Sequence, residues 1–316
     1  MNGKTWDNPL PGRPRVAVVG SGAIGCYYGA KLQRAGCGVH FLMRSDLEHV
    51  REHGLKVLSH DGDFDLPRVA AHGRTEEIGP VDLVLVALKA TQNALFPELL
   101  PPLLGPATAV LTFQNGVGNE EALEPVTGAS RILGGVCFVC LNRLSPGVVK
   151  NIRHGAVEVA EFATRGITPR LESLSRLWEI SGISCKASPD LVDTRWRKLV
   201  WNVPFNGLSI ALGGVTTDRL LQHPEWSARV RELMREVQTG ARALGTEIPD
   251  DFLQYQADRT PEMGAYRPSS MIDWEAGLPV EVEAIWGEPL RRAEAAGASL
   301  PEWRRLVGEI RMRTGV

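Results

Sequence analysis

Three glycines at a fixed spacing are the first residues in the chain whose types could do chemistry. They form the pattern GxGxxG. The first glycine allows a sharp turn, the second lets backbone N–H groups approach a pyrophosphate, and the third lets the following helix pack close to its strand. A helix that begins here also directs its positive end at the phosphates. The spacing therefore predicts a dinucleotide-binding turn, and the alternative is a glycine-rich turn with no ligand. The residues concerned are Gly20, Ser21, Gly22, Ala23, Ile24 and Gly25.

A polar line within an apolar segment is the second such feature. Lys198, Asn202 and Asn206 are spaced i, i+4, i+8 among apolar neighbours. On an α-helix such positions drift by only about 40° per step, so they form one ridge roughly 12 Å long. Polar groups in apolar surroundings are costly unless something binds them. The spacing predicts a ligand-binding ridge, with a structural ladder of amides as the alternative.

The elements around the glycines fit the dinucleotide hypothesis. Val16–Val19 has the apolar composition of a buried parallel strand, Ile24–Ala35 is an amphipathic helix that Gly36 ends, and Val39–Met43 is a second strand. Strand, turn, helix and strand in this order are typical of a Rossmann unit.

The residue after the second strand indicates which dinucleotide binds. An NAD site usually has an acid there for the ribose 2′-hydroxyl, whereas this strand is followed by Arg44. The nearest acid is Asp46, which looks like the N-cap of a short helix. A cation at this place suits a 2′-phosphate, so NADP(H) is favoured over NAD(H). The alternative is that Arg44 is an ordinary surface arginine.

Two more polar residues follow predicted strands. Lys89 stands at the end of the apolar run Val81–Leu88, and Asn115 follows Ala109–Phe113. In open α/β sheets ligands bind outside the carboxyl ends of the strands. We therefore expect Lys89 and Asn115 to line the cofactor cleft, although each alone could be a surface residue or a turn residue.

Alternation of strands and helices up to residue 189 predicts an α/β fold with a doubly wound sheet, and β-patterning ends there. The predicted organisation is a loose tail over residues 1–14, a Rossmann-like NADP(H)-binding domain over 15–189 and an all-helical domain over 190–316. Further strands are predicted at Leu55–Ser59, Asp63–Val69, Ile132–Leu141, Val148–Ile152, Ala156–Ala160 and Ile183–Lys186. Helices are predicted at Asp46–His53, Thr91–Leu104, Pro169–Ser181, Asp193–Leu212, Pro224–Leu244, Asp250–Ala257 and Pro279–Ala296.

Composition excludes several classes of function. The chain has 316 residues, 43% of them hydrophobic, and a net charge of −2. No stripe of basic residues indicates nucleic-acid binding, and no apolar run is long enough to span a bilayer, so we expect a cytoplasmic protein.

Among the five cysteines, Cys137 and Cys140 form a CxxC. On a strand their thiols point to opposite faces, so no metal site is predicted.

Several of these motifs occur together in one known family. The glycine turn, LVLVALKATQ, the Gln-Asn-Gly after the fifth strand, WRKLVWNVPFN and Pro-Ser-Ser-Met at 268–271 follow in that order. The chain resembles the ketopantoate reductase (2-dehydropantoate 2-reductase) family from residue 15 to about residue 310. The resemblance implies a Rossmann-like domain followed by a helical domain like the C-terminal domain of 6-phosphogluconate dehydrogenase.

The resemblance also implies an activity: reduction of ketopantoate to pantoate with NADPH, on the way to pantothenate and coenzyme A. Lys198 matches the catalytic lysine of the family, and Glu281 the acid that binds substrate or positions the lysine. Substrate-binding positions are matched by Asn202, Asn206 and Ser270. Cofactor contacts are matched by Arg44, Lys89 and Asn115, with Arg44 at the 2′-phosphate.

The chemistry agrees with these roles. Hydride transfer to the carbonyl carbon of a 2-keto acid places negative charge on its oxygen. A lysine ammonium can stabilise that charge and donate the proton, an effect worth typically about 10²- to 10⁴-fold in rate. Asparagine side chains can donate hydrogen bonds to the substrate without adding charge.

Some positions depart from the family pattern. Pro204 lies between the two asparagines, where a kink would re-aim Asn206. Thr216 and Arg267 replace asparagines found in some members. The segment 270–281 is one residue shorter than usual, which would rotate Glu281 relative to Ser270 if both lay on one helix. These differences leave the identity of the keto acid open.

Three alternatives therefore remain. The first is an NADPH-dependent reductase of another 2-keto acid on the same fold. The second is a nucleotide-binding regulatory protein without turnover, and the third is a structural interaction protein with an empty cleft. The apolar helical domain makes a homodimer plausible.

Overall fold

The computed structural model describes residues 8–316, which form two compact units. The first unit runs to Gln114 and continues from Asn119 to Leu191, and the second contains Asn115–Gly118 and Val192–Val316. Of the predicted N-terminal tail, residues 1–7 lie outside the described residues. Residues 8–14 form neither helix nor strand, and the Leu10 N–H donates to Ser173 Oγ at 2.8 Å.

The first unit is built on a mixed sheet whose centre is parallel. Among the described residues ten strands join it, in the order β4-β3-β9-β8-β7-β6-β1-β2-β5, with β10 paired to β9. Pairs β8–β9 and β3–β4 are antiparallel, and all other pairs are parallel. The strands are β1 Arg15–Val19, β2 Gly38–Leu42, β3 Leu55–Ser59, β4 Phe64–Leu66, β5 Ala70–His72, β6 Val81–Val86, β7 Leu104–Thr112, β8 Ile132–Ser145, β9 Val148–Glu161 and β10 Cys185–Ala187.

Helices cover both faces of this sheet. They are α1 Ala23–Arg34, α2 Leu47–His53, α3 Phe96–Leu99, α4 Asn119–Thr127 and α5 Pro169–Ile180. Val18 of β1 packs in one core with residues of α1 and α5, and its neighbour Val19 packs in another with residues of α3 and α4. Successive residues of a strand face opposite sides, so a strand buried on both faces must be apolar throughout. The predicted doubly wound α/β fold is confirmed.

The prediction of one long helix over Thr91–Leu104 is wrong. The chain instead forms 3₁₀ turns at Ala90–Leu95 and Pro101–Leu103, with the four-residue α3 between them. Pro101 and Pro102 each lack the N–H that a helix interior needs, and they disfavour helical conformation in the residue before them. The three prolines in 97–102 therefore break the segment into short turns.

The hairpin of β8 and β9 is longer and less regular than predicted. β9 is one strand where two pieces were expected, because bulges in the pairing accommodate His154, which has a φ of 63°. β5 forms one edge of the sheet, where it pairs with β2 beyond the end of the predicted strand Asp63–Val69.

Every regular element among the described residues of the second unit is a helix. Its helices are α6 Leu191–Ala211, α7 Thr217–Gln222, α8 Pro224–Ala243, α9 Asp250–Arg259, α10 Ser269–Glu275, α11 Glu288–Ala295 and α12 Pro301–Thr314. They enclose a core that contains Phe205, Trp286 and Trp303. The helix predicted from Pro279 begins late: a π-helical turn, Glu283–Gly287, precedes α11. Pro289 has no N–H to donate to Ile285, so regular α-helical bonding cannot continue there.

Within residues 8–316, none of the helices combines the length and the apolar character that crossing a membrane requires.

Candidate functional site

The glycine turn has the geometry that its spacing predicts. Gly20 has a φ of 103°, and a Cβ on it would lie 2.4 Å from the backbone nitrogen of Leu88. A Cβ on Gly25 would lie 2.1 Å from the Gly20 carbonyl oxygen, so glycine is required where α1 passes β1. A Cβ on Gly22, by contrast, would meet nothing within 4 Å. Gly20 and Gly25 are thus needed by the fold, whereas Gly22 leaves open space beside the turn.

The first turn of α1 offers backbone donors to a ligand. Gly22 is the N-cap, and no side chain caps the helix. The N–H groups of Ala23, Ile24 and Gly25 precede the first intrahelical bond, which Cys26 N–H makes to Gly22 O at 2.9 Å. The Ser21 hydroxyl donates to the Leu42 carbonyl at 2.6 Å, which ties the turn to the end of β2. Open space, free donors and the positive end of a helix together fit a pyrophosphate.

The end of β2 carries the predicted cation. Arg44 follows the strand on an exposed turn in which Leu47 N–H donates to Arg44 O at 3.3 Å. Asp46 is the N-cap of α2 as expected, but its side chain makes no capping bond to the helix. Its carboxylate instead pairs with Arg143. No local pattern along the chain predicts this pair.

Two further features lie at the carboxyl ends of strands: Lys89 after β6, and a network of amide side chains after β7. Lys89 is exposed and is the N-cap of the 3₁₀ turn after β6. Gln114 Nε2 donates to Asn93 Oδ1 at 2.7 Å, and Asn93 Nδ2 donates to Asn119 Oδ1 at 3.0 Å. This amide network fixes the backbone just before Asn115. Asn93 and Asn119 were not predicted, since residues more than 20 positions apart leave no local pattern.

Asn115 opens the short segment Asn115–Gly118 of the second unit. In that segment the Val117 N–H donates to Ala284 O at 2.9 Å. Gly116 has a φ of 84°, and a Cβ on it would lie 2.0 Å from the same carbonyl oxygen. Position 116, directly after Asn115, therefore requires glycine, because the two backbones approach each other too closely there for a side chain.

The polar ridge lies on α6 as predicted. Asn202 and Asn206 are each 3% exposed, and Asn206 Nδ2 lies 3.5 Å from Asn202 Oδ1. Asn206 Oδ1 accepts the Ser270 N–H at 3.1 Å, so one amide connects the ridge to the start of α10. Lys198 lies one turn before Asn202 and is partly exposed. The structure thus brings together three predicted residues, Asn202, Asn206 and Ser270.

Glu281 lies outside the helix that contains Ser270. It is 4% exposed and lies in the non-helical segment between α10 and the π-helical turn, where its carbonyl accepts the Ile285 N–H at 3.1 Å. Ser270 and Glu281 do not share a helix, so the predicted rotation of one relative to the other does not arise. The turn at Gly277, with a φ of 67°, separates them.

The other departures from the family pattern have local partners. α6 is continuous through Pro204, and the Val203 carbonyl accepts the Trp286 Nε1–H at 3.0 Å. Thr216 donates to the Asp218 carboxylate, and Arg267 pairs with Glu275. Each of these polar side chains is thus engaged with a neighbouring carboxylate.

The cysteines are all free thiols. Burial raises the pKa of Cys26 to about 12 and that of Cys185 to about 11, so these two thiols are uncharged near neutral pH. In the described part of the chain no group of three histidine, cysteine or acidic side chains has the arrangement of a metal site.

Comparison with known proteins gives one consistent answer. Residues 16–164 match the family model described as ketopantoate reductase PanE/ApbA, and residues 190–314 match its C-terminal model. A 2-dehydropantoate 2-reductase of Nostoc sp. is 43% identical over 305 residues, which cover 95% of each chain.

Solved structures agree. The crystal structure of 2-dehydropantoate 2-reductase from Geobacter metallireducens has a TM-score of 0.92 at 44% identity and covers 94% of this chain and 99% of its own. The crystal structure of 2-dehydropantoate 2-reductase from Methylococcus capsulatus has a TM-score of 0.85 at 29% identity. It covers 94% of this chain and 96% of its own. Family models over both units and relatives of this similarity over nearly the whole length lead to one conclusion: the chain belongs to the ketopantoate reductase family.

Proposed function

We propose that the protein reduces ketopantoate to pantoate with NADPH. The observation that carries this proposal is the buried Asn202–Asn206–Ser270 contact beside Lys198, in a chain 43% identical to a 2-dehydropantoate 2-reductase. Buried amides and an ammonium on one helix are suited to a small anionic substrate that has a carbonyl group.

The residues of α6 have separate tasks in this reaction. When bound, NADPH supplies the hydride that reduces the keto carbon. Lys198 Nζ donates the proton to the oxygen on which negative charge develops, which leaves a hydroxyl group on the product. Asn202 and Asn206 orient the substrate, and the bond from Ser270 N–H holds the Asn206 side chain in one rotamer. Glu281 binds the substrate or positions the lysine.

Preference for NADP(H) is the finer part of the proposal. Arg44 is exposed two residues after the end of β2, where a 2′-phosphate lies in Rossmann-type sites. Asp46, the nearest acid, is engaged in an ion pair and is not free to accept from a ribose hydroxyl. Lys89 and Asn115 contact the cofactor on this proposal, as does the backbone of the glycine turn.

The test is the oxidation of NADPH in the presence of ketopantoate, followed by absorbance beside the same assay with NADH. Pyruvate and other branched or hydroxylated 2-keto acids serve as competitors. We expect the highest kcat/KM with ketopantoate and NADPH. A higher value with another acid would assign the protein to that substrate. Tight NADPH binding without turnover of any acid would favour a regulatory role.

A further inference from the structure

A charged pair lies next to the end of β2, and its cation has no role in the reaction proposed above. It joins Asp46, before α2, to Arg143, near the end of β8. Asp46 is only 6% exposed, and both of its carboxylate oxygens are occupied. Oδ1 accepts from Arg143 and from Ser45 Oγ at 2.9 Å, and Oδ2 accepts the Gly147 N–H at 3.3 Å. The carboxylate is therefore held by the protein itself.

The hairpin that provides Arg143 and Gly147 is fixed in place. Lys56 N–H donates to Gly147 O at 2.8 Å, and a Cβ on Gly147 would lie 3.0 Å from both Gly54 O and His49 Cδ2. The hairpin tip thus packs closely against α2 and the start of β3. The backbone that carries Arg143 is therefore held close to α2.

The pair also lies near the first turn of α1. The pKa of Cys26 in that turn is raised by burial and further by the charge of Asp46, while the charge of Arg143 lowers it. Both charges therefore act on the end of the helix that carries the glycine turn. The guanidinium is the more accessible partner, with 41% of the Arg143 side chain exposed against 8% for Asp46.

A carboxylate at this place has consequences for cofactor choice. Dinucleotide sites that bind NAD have an acid after the second strand, which accepts from the ribose 2′-hydroxyl. Asp46 stands two positions after Arg44 and is the nearest acid. An unpaired carboxylate here would repel a 2′-phosphate and would be able to accept from a 2′-hydroxyl.

We infer that Arg143 is a specificity-determining residue, which favours the 2′-phosphorylated cofactor by neutralising Asp46 and holding it inside the protein. The inference rests on the NADPH preference proposed above. It assigns part of the discrimination between NADPH and NADH to a residue on a hairpin that is distant in sequence, in addition to the arginine after β2.

Four proteins test it: the wild type, Arg143→Met, Asp46→Asn and the double variant. Relative to the wild type, the charge of the pair changes by −1, +1 and 0 in the three variants. Dissociation constants for NADPH and NADH are measured by calorimetry without substrate. Arg143→Met should weaken the binding of NADPH about tenfold or more, because an unpaired carboxylate then faces the 2′-phosphate. The same variant should leave the binding of NADH unchanged or make it tighter. Asp46→Asn should not weaken NADPH, and the double variant should regain affinity close to the wild-type value.

Matched controls separate charge from folding. Lys150→Met removes a cation from the same hairpin, and Arg143→Lys keeps the charge at 143; both should retain the wild-type preference, and Arg143→Lys stays informative if Arg143→Met fails to fold. Equal weakening of NADPH by Arg143→Met and Asp46→Asn would overturn the inference, as would parallel changes for NADPH and NADH. A wild type that binds both cofactors equally would instead refute the proposed NADPH preference.

Discussion

At the scale of single residues, the proposed chemistry depends on Lys198. The ammonium stands one helical turn from Asn202, on a helix in which the neighbours Leu199 and Val200 are buried. Asparagines can orient a keto acid, but they cannot deliver a proton to an alkoxide, because the pKa of a carboxamide is far too high for that role.

Replacement of Lys198 by alanine should lower kcat by about 10²- to 10⁴-fold, the usual contribution of a general acid. NADPH should bind with unchanged affinity, as measured by fluorescence titration. The control is Lys186→Ala, which removes an exposed lysine of β10 that pairs with Glu158 of β9 and should keep full activity. A loss below tenfold for Lys198→Ala would remove Lys198 from the role of proton donor.

A second residue-scale feature is a pair of histidines on neighbouring strands. Arg15 Nε donates to His40 Nε2 at 3.1 Å, which assigns the proton of the neutral His40 ring to Nδ1. That nitrogen lies 3.0 Å from His72 Nε2, and His72 Nδ1 lies 3.6 Å from Glu77. Burial lowers the pKa of His40, and the charges of Arg15 and His72 lower it further.

This pKa shift predicts a pH dependence of stability. The unfolded chain binds a proton at His40 more readily than the folded protein does, so the free energy of unfolding should fall as pH drops below about 6.5, the ordinary histidine value. His40→Gln keeps an acceptor for Arg15 and should flatten the curve between about pH 5 and 7. Urea unfolding at several pH values measures this. His53→Gln, on the exposed side of α2, is the control; if it changes the curve as much as His40→Gln does, the assignment fails.

At the scale of elements, the glycine turn shows how one motif serves both the fold and the ligand. Gly25 is required because the Gly20 carbonyl lies where its side chain would be, whereas the place beside Gly22 is open. Substitutions at the two positions should therefore have different effects.

Gly25→Ala should destabilise the protein by about 1–3 kcal/mol, because α1 must move away from β1 to admit the methyl group. Gly22→Ala should change stability by less than about 1 kcal/mol, since its φ of −78° suits alanine and no atom is near. It should nevertheless weaken NADPH binding at least about tenfold, because the methyl group fills space that the pyrophosphate needs. Thermal unfolding and cofactor titration of both variants make the comparison. Unchanged NADPH affinity in Gly22→Ala would contradict the binding role of the turn.

Elements were predictable where the pattern is strong and local. β1, α1 and β2 lie within one residue of their predicted bounds because burial on both faces and a glycine stop are visible in the sequence. The helix expected over 91–104 does not form because prolines at 97, 101 and 102 interrupt its apolar periodicity. β5 was missed because three residues are too few for a period.

At the scale of the whole molecule, the chain enters the second unit twice. Asn115–Gly118 belongs to that unit although residues on both sides belong to the first. Val117 packs in the helical core, and its N–H donates to Ala284 O. A four-residue segment from the end of a β-strand is thus part of the helical unit.

Gly116→Ala should therefore destabilise the helical unit, since a Cβ would lie 2.0 Å from the Ala284 carbonyl oxygen. Gly118→Ala is the matched control in the same segment: its φ is 90°, and its nearest neighbours would be at 3.6 Å. Both variants carry the cost of a positive φ, about 1–3 kcal/mol, and Gly116→Ala adds the overlap. Chemical denaturation followed by tryptophan fluorescence should show the larger loss for Gly116→Ala. Equal losses would mean that the close approach is not important for stability.

The sequence by itself determined the features that repeat over short distances. The GxGxxG spacing, the apolar strands and the four-residue interval of Lys198, Asn202 and Asn206 follow from the geometry of turns, strands and helices, which a local pattern reveals. Arg44 after β2 and the helical character of the second unit were visible for the same reason. Family motifs then linked these features to one reaction.

Only the tertiary structure decided how distant residues meet. The partner of Asp46 is 97 positions away, and the Ser270 N–H meets Asn206 across 64 positions. The entry of Asn115–Gly118 into the helical unit is of the same kind. Such contacts depend on the packing of whole elements, and no spacing along the chain records them, because each partner alone looks like an ordinary polar surface residue.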